Sequence, residues 1–165
     1  MMINYLGVYG PIILFFLTIF FLRKMKTYLY FFIIGFGLNN VINIVLKLLI
    51  KEPRPSKDQR AIEIGVVNGA RIGFDKFGMP SGHAQNCTYC LWYITLALND
   101  PIISILYLVL STISVTQRYM NYNHTVLQLT VGSFIGAGFA YYMYMHTNKL
   151  IKGNIGMRKD DNGPL

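Results

Sequence analysis

The run Tyr28–Ile50, with the sequence YLYFFIIGFGLNNVINIVLKLLI, decides the class of fold. It is apolar apart from a few positions, and it is long enough to cross a hydrocarbon core of about 30 Å, which needs roughly 20 residues of helix. The run therefore predicts a membrane-spanning helix. Asn39, Asn43 and Lys47 follow one another at intervals of four, so they share one helix face. We expect that polar face to point into a bundle.

Four further apolar stretches lie before and after this run, at residues 5–22, 84–98, 101–115 and 125–146. The middle two are short, and Asn99-Asp100-Pro101 marks a tight break between them. We therefore predict an all-α fold, a polytopic membrane helix bundle of about five transmembrane helices within residues 1–152. The polar residues 153–165 are expected to form a disordered tail.

The composition agrees with a membrane protein, because 53% of the residues are hydrophobic and only 13% are charged. A soluble domain of this length would need more polar surface. The formal net charge of +8 would favour a nucleic-acid partner in a soluble protein. Here the basic residues cluster between apolar runs, so they reflect membrane topology, and we expect no nucleic-acid partner.

The basic clusters also predict an orientation. With five crossings, one membrane face receives the turn Arg23, Lys24 and Lys26 and the tail residues Lys149, Lys152, Arg158 and Lys159. The loops 51–79 and 117–123 share the other face. Because positive segments stay in the cytosol, that other face is predicted to be lumenal or extracytoplasmic.

Three short motifs fall at helix ends on this second face. They are Lys47-x6-Arg54-Pro55, Pro80-Ser81-Gly82-His83 and Arg118-x5-His124. Three cations, two histidines and a glycine turn suit the binding and cleavage of a phosphate ester. The guanidinium groups of Arg54 and Arg118 match phosphate oxygens bidentately, and Lys47 adds a point charge. Taken alone, Lys47 is typical of a lysine whose head reaches the membrane interface.

The second motif precedes a predicted helix, whose N-terminal N–H groups can bind an anion. Ser81 is the expected N-cap, and Gly82 allows close approach of the backbone; alone, the motif is typical of any helix start. The neutral imidazole of His124 is a competent nucleophile towards phosphorus if its other nitrogen is held as a donor. The amide oxygen of Gln128 can accept that N–H, and His83 can protonate the leaving oxygen.

Cys87-x-x-Cys90 is compatible with a redox motif, but it lies inside an apolar run. We interpret both cysteines as small buried hydrophobes. No His/Cys cluster has the spacing of a zinc site, and no carboxylate pair suits a divalent metal. We therefore expect metal-independent chemistry and no cofactor.

Three other segments favour structural interpretations. Gly132-x-x-x-Gly136 predicts close helix packing. His146 lies near the tail on the face opposite the motifs and is expected to be an interfacial residue. The segment 61–78 is interpreted either as an interfacial lid or as an ordinary connecting loop.

The three motifs resemble the signature K-x6-R-P, P-S-G-H and S-R-x5-H-x3-D of the type 2 phosphatidic acid phosphatase superfamily, over Val45–Gly136. The resemblance implies a membrane-embedded phosphatase domain that acts on a lipid phosphate. The phosphate ligands that it implies are Lys47, Arg54, Ser81, Gly82 and Arg118. It further implies that His124 is the nucleophile, which becomes phosphohistidine, and that His83 is the general acid.

Two positions depart from that signature: Gln117 replaces its serine, and Gln128 replaces the aspartate that orients the nucleophile. With this glutamine, and with the contexts Lys51–Pro55 and Phe77–Gln85, the chain looks similar to the dolichyl diphosphatase branch. That resemblance implies hydrolysis of a polyprenyl diphosphate to the monophosphate at a lumenal site. The membrane would be that of the endoplasmic reticulum if the protein is eukaryotic, or if it is a viral protein in a eukaryotic host. Two alternatives stay open. One is a broader glycerolipid phosphatase for phosphatidic acid, lysophosphatidic acid or diacylglycerol pyrophosphate, and the other is an inactive relative that binds anionic lipid or a partner.

Overall fold

The computed structural model describes residues 2–55 and 76–153 of the chain. Its regular structure in these ranges is helical, apart from one isolated bridge between Pro53 and Phe77. The helices are α1 (Met2–Leu22), α2 (Lys26–Ile50), α3 (Gly82–Leu98), α4 (Pro101–Met120) and α5 (Val126–Gly153). The predicted all-α bundle is confirmed. The predictions for most of the segment 61–78 and for the tail after residue 153 lie outside the described residues.

Two helices run further than the sequence predicted. The fourth continues to Met120 instead of ending at residue 115, and the fifth continues to Gly153 instead of residue 146. At the end of α4, Gln117 and Arg118 are almost fully buried. Polar side chains can continue a helix there because the neighbouring segments cover them, which an apolar pattern does not reveal.

Four of the five described helices are long and apolar enough to cross a membrane, judged by length and composition: α1, α2, α4 and α5. The remaining helix, α3, has 17 residues, at the lower limit of about 17–25 residues for a spanning helix. It packs against all four others, most extensively against α5. The helix therefore occupies the centre of the bundle, which fits a polytopic membrane protein.

Aromatic rings of α2 and α3 form the apolar core at this centre. The rings of Tyr89 and Tyr93 stack with centroids 5.9 Å apart, and Phe32 lies 5.7 Å from Tyr89. Tyr93 donates its hydroxyl hydrogen to the carbonyl of Tyr28 at 2.9 Å. The buried polar tip of this tyrosine is thus satisfied by backbone, as a buried hydroxyl requires.

Amide side chains join α2 to α3 next to this core. Asn43 donates to Gln85 at 2.8 Å, and Gln85 donates to Asn39 at 2.9 Å. Asn39 donates to Asn86 at 2.7 Å, and Asn86 donates to Asn40 at 2.8 Å. We call these five residues the amide ladder. It confirms that the polar face of α2 points into the bundle, and it fixes the end of α2 against the start of α3.

Two glycines let α5 approach α3 closely. A Cβ atom at Gly132 would lie 2.6 Å from the carbonyl oxygen of Ser81, and one at Gly136 would overlap the carbonyl of Gln85. Backbone cannot move aside cheaply, so this contact requires glycine. The predicted role of this glycine pair in packing is confirmed, and the contact brings the start of α5 beside the start of α3.

Candidate active site

The three motifs meet at one end of the bundle. Lys47 lies in the last turn of α2, and Arg118 lies in the last turn of α4. Ser81 caps α3, and its backbone N–H donates to the carbonyl of Gln128 in α5 at 3.1 Å. His124 precedes α5. Antiparallel connections between successive helices thus place these residues together, as the spacing of the apolar runs predicted.

The imidazole of His124 is fixed in one tautomer. Its Nδ1 atom lies 2.9 Å from the carbonyl oxygen of Gly78 and 3.3 Å from Oε1 of Gln128. Both partners are oxygens that can only accept, so Nδ1 carries the hydrogen and donates it. The lone pair is consequently on Nε2. The predicted contact between His124 and the Gln128 oxygen is present, and the Gly78 carbonyl is a second acceptor that the sequence did not indicate.

The amide of Gln128 is itself oriented by four hydrogen bonds. Its Nε2 donates to Oε1 of Glu52 at 2.7 Å and to the carbonyl of Pro53 at 2.9 Å. Its Oε1 accepts from the backbone N–H of Thr125 at 3.2 Å, besides the bond from His124. If the amide were flipped, its N–H groups would face the N–H groups of His124 and Thr125, and no hydrogen bond could form there. These hydrogen bonds therefore fix the amide of Gln128 with its oxygen towards His124.

Glycine at position 78 makes room for this amide. A Cβ atom there would lie 2.5 Å from both Nε2 and Oε1 of Gln128. The backbone N–H of Gly78 also donates to the carbonyl of Glu52 at 2.8 Å. Residues 52–53 and 77–78 thus form a short paired segment beneath the histidine.

Arg54 lies beside the Nε2 atom of His124. Its Nη1 atom is 3.1 Å from Nε2 of His124 and 3.1 Å from the carbonyl oxygen of Asn123. The guanidinium donates to both. An oxyanion bound by Arg54 would therefore lie beside the lone pair of His124.

Asn123 connects the two arginines. Its backbone carbonyl accepts from Arg54, and its Oδ1 atom accepts from Nη1 of Arg118 at 3.3 Å. Its own N–H donates to the carbonyl of Arg118 at 3.0 Å. The sequence analysis missed this residue, because it stands among the unspecified positions of Arg118-x5-His124. Lys47 completes the cationic group and donates from Nζ to the carbonyl of Phe77 at 2.8 Å.

The second histidine is held by the N-terminal helix. The Nε2 atom of His83 lies 3.1 Å from the carbonyl oxygen of Val8 in α1. A carbonyl only accepts, so Nε2 carries the hydrogen. His83 is close enough to His124 for its charge to lower the pKa of that residue. Both histidines lie at the end of the bundle that holds the motifs, His83 in the first turn of α3 and His124 just before α5.

The surroundings of His124 keep its imidazole neutral. Burial contributes most, and the positive charges of Arg54, Lys47 and His83 add to it, lowering the pKa of His124 from 6.5 to about 2. The hydrogen bond to Gln128 acts in the opposite direction. A neutral ring with its lone pair on Nε2 is the form that can attack an electrophile.

The other predicted residues have plainer surroundings. Ser81 is the N-cap of α3, as predicted, and its hydroxyl accepts from the N–H of Ala84 at 3.5 Å. A Cβ atom at Gly82 would lie 3.3 Å from Oδ1 of Asn43. Gln117 is buried beneath α1, where a Cβ atom at Gly7 would overlap its side chain. The roles of Ser81 and Gly82 in phosphate binding remain predictions.

The two cysteines and His146, which the sequence analysis interpreted as structural, take no part in the hydrogen bonds that the structure describes around His124. Cys87 and Cys90 are buried and not joined by a disulfide. His146 lies near the far end of α5, with its ring 5.3 Å from that of Phe31. His146 thus lies at the end of the bundle opposite to the motifs.

A family model described as "PAP2 superfamily" matches residues 26–152, so that α2 to α5 fall in the match and α1 precedes it. A lipid A 4'-phosphatase from Helicobacter pylori strain J99 is 37% identical to the chain over 82 residues. This alignment covers 45% of the chain and 40% of the relative. No solved structure matches the chain.

Proposed function

The chain belongs to the PAP2 superfamily, and from this premise we propose that it is a membrane phosphatase that hydrolyses a phosphorylated lipid through a phosphohistidine formed on His124. One observation carries the proposal: Nδ1 of His124 is held as a donor while Nε2 faces the guanidinium of Arg54. A nucleophile and an oxyanion ligand are thereby placed side by side. The similarity to a lipid A 4'-phosphatase supports the same class of reaction.

In the first step the lone pair on Nε2 of His124 attacks phosphorus. A P–N bond forms as the P–O bond to the leaving group, a lipid alcohol or a lipid monophosphate, breaks, and the leaving oxygen takes a proton from His83. That proton comes from Nδ1 of His83, because its Nε2–H donates to the carbonyl of Val8. Arg54, Arg118 and Lys47 neutralise the oxygens of the transferred group.

In the second step water cleaves the intermediate. His83, now neutral, takes a proton from a water molecule, whose oxygen attacks phosphorus. The P–N bond breaks and its electron pair returns to Nε2 of His124. Phosphate is released, and both histidines regain their starting protonation states.

We propose a polyprenyl (dolichyl-type) diphosphate as the substrate, which is cleaved to the monophosphate. The glutamine at position 128 and the context Lys51–Pro55 support this choice through the resemblance described above. A second candidate is a lipid phosphate monoester, and the similarity of the chain to a lipid A 4'-phosphatase supports this alternative. Glycerolipids such as phosphatidic acid belong to this second group.

Phosphate release by the detergent-purified protein tests the function. The substrates are a polyprenyl diphosphate, a lipid A phosphate and phosphatidic acid, each with EDTA present and each beside His124→Ala. Release from the diphosphate that persists in EDTA and disappears in the variant is the expected result. A higher kcat/KM for either monoester would reassign the substrate, and release that survives His124→Ala would overturn the mechanism.

We further propose that the site faces the lumen or the extracytoplasmic space. The turn at residues 23–26 and the basic end of α5 lie at the end of the bundle opposite to His124, which supports this orientation. Tyr122 is exposed beside the site, so Tyr122→Cys can be labelled with a membrane-impermeant thiol reagent in intact vesicles of known orientation. Labelling only from the cytosolic side would reverse the assignment.

A further inference from the structure

Glu52 touches both groups that hold the imidazole of His124. Its carboxylate accepts from Nε2 of Gln128 at 2.7 Å, and the oxygen of that amide accepts from Nδ1 of His124. Its backbone carbonyl accepts from the N–H of Gly78 at 2.8 Å, and the carbonyl of Gly78 is the other acceptor for Nδ1. Both supports of the histidine therefore lead back to one residue.

The bond to Glu52 is the shortest of the four that orient the amide of Gln128, at 2.7 Å against 2.9, 3.2 and 3.3 Å. Hydrogen bonds to an ionised acceptor are roughly twice as strong as bonds between neutral groups. A carboxylate bound to an amide N–H also polarises the amide, which makes the carbonyl oxygen a better acceptor. Glu52 thus contributes most to fixing the amide.

In the proposed reaction, the imidazole of His124 gains positive charge, which a negatively charged group nearby can stabilise. When Nε2 bonds to phosphorus, the ring becomes cationic, and the charges that act on His124 directly are the positive ones of Arg54, Lys47 and His83. Within residues 2–55 and 76–153, the acidic residues are Glu52 and Asp100. Asp100 caps α4 beyond the far end of α3, a helix about 25 Å long.

We propose that Glu52 is a positioning residue for His124: its carboxylate fixes and polarises the Gln128 amide, whose oxygen holds the Nδ1 hydrogen as the ring gains positive charge. This inference rests on the proposed function, since it concerns the nucleophile of that reaction. It assigns a role to an unspecified position of the motif Lys47-x6-Arg54-Pro55, and it explains how a neutral glutamine can serve beside a nucleophilic histidine.

Two substitutions of Glu52 distinguish a role in orienting the Gln128 amide from a general role in the stability of the fold. Glu52→Ala removes the acceptor, and Glu52→Gln keeps an acceptor but removes the charge. We expect kcat to fall about tenfold or more in Glu52→Ala, in line with the loss of an outer residue that orients a functional group. Glu52→Gln should recover part of this loss, and KM should change by less than about threefold in both, because Glu52 reaches the substrate only through other residues.

Lys51→Gln is the matched control, because it changes the charge of the exposed neighbouring residue. It should retain the kcat of the unmodified protein. A wild-type kcat in Glu52→Ala would overturn the proposal, and so would a loss confined to KM.

A double-mutant cycle with Gln128→Ala tests the route of the effect. If Glu52 acts through the amide, Glu52→Ala should lower kcat by less than about twofold in the Gln128→Ala background. Losses that multiply independently would show that Glu52 acts elsewhere, and would overturn the proposal.

Modification by diethyl pyrocarbonate provides a measurement that does not depend on the substrate. The reagent is attacked by a neutral imidazole nitrogen, and mass spectrometry can follow His124 with His146 as the internal standard. Glu52→Ala should slow modification of His124 several-fold and leave His146 unchanged. Equal rates at His124 would overturn the role of Glu52 whatever the phosphatase assay shows. A slowed rate in a protein that releases no phosphate would instead contradict the proposed function alone.

Discussion

The Nη1 atom of Arg54 and the Nε2 atom of His124 are 3.1 Å apart, with the guanidinium donating to the lone pair of the imidazole. The same nitrogen donates to the carbonyl of Asn123. In the proposed reaction, a phosphate group would therefore take over the contact of Arg54 before His124 attacks. Binding of the substrate and exposure of the proposed nucleophile would then be coupled at this pair.

Replacing Arg54 should remove this coupling. We expect kcat/KM to fall by about 10²–10³-fold in Arg54→Ala, as for the loss of a preorganised donor to a developing oxyanion. Arg54→Lys should recover little of it, because an ammonium group cannot reproduce the fork geometry. Steady-state phosphate release measures both variants. Arg23→Ala, which removes an exposed arginine at the other end of the bundle, is the control and should turn over normally.

The lowered pKa of His124 should appear in the pH dependence of stability. The pKa is about 2 in the folded protein and 6.5 in the unfolded chain. Below pH 6.5 the unfolded chain therefore binds a proton that the folded protein does not, and the free energy of unfolding falls by up to about 1.4 kcal/mol per pH unit. Above pH 6.5 this contribution is complete. Thermal unfolding in detergent at pH 7.5 and 5.5 measures the difference, which should be smaller in His124→Ala; an unchanged difference would contradict the assignment.

Gly78→Ala should impair catalysis through crowding alone. The added methyl group would lie 2.5 Å from the amide atoms of Gln128, so the amide must move away from His124. We expect kcat to fall roughly tenfold or more, since misplacement of a positioning group by about 1 Å is enough for such losses. Gly37→Ala is the matched control, because nothing lies within 4 Å of a Cβ atom there. Equal activity of the two variants would argue against the role of this contact.

Gly136→Ala should act on stability instead. Its methyl group would overlap the carbonyl of Gln85, and the two helices would have to separate, at a loss of about 1–3 kcal/mol, typical of overpacking. The melting temperature in detergent should fall. Gly138→Ala, where a Cβ atom has no neighbour within 4 Å, should leave it unchanged or raise it slightly. A normal melting temperature for Gly136→Ala would show that the helices approach less closely than described.

The sequence predicted the helices, the buried face of α2, the meeting of the three motifs and the contact between His124 and Gln128. These follow from helical periodicity and from which membrane face each loop shares. It did not predict the carbonyls of Gly78 and Val8, because a backbone acceptor leaves no signature in residue type. Nor did it single out Glu52, which lies among the unspecified positions of Lys47-x6-Arg54-Pro55 and whose partner Gln128 is distant in sequence.

The amide ladder has a consequence for how the chain enters the bilayer. The asparagines of α2 find their partners Gln85 and Asn86 only in α3, which follows after residues 51–81. Until α3 has formed, the amide side chains of Asn39 and Asn43 therefore lack these partners, an arrangement that hydrocarbon disfavours. The ladder therefore favours entry of α2 and α3 into the bilayer as a pair, in addition to bracing the finished site.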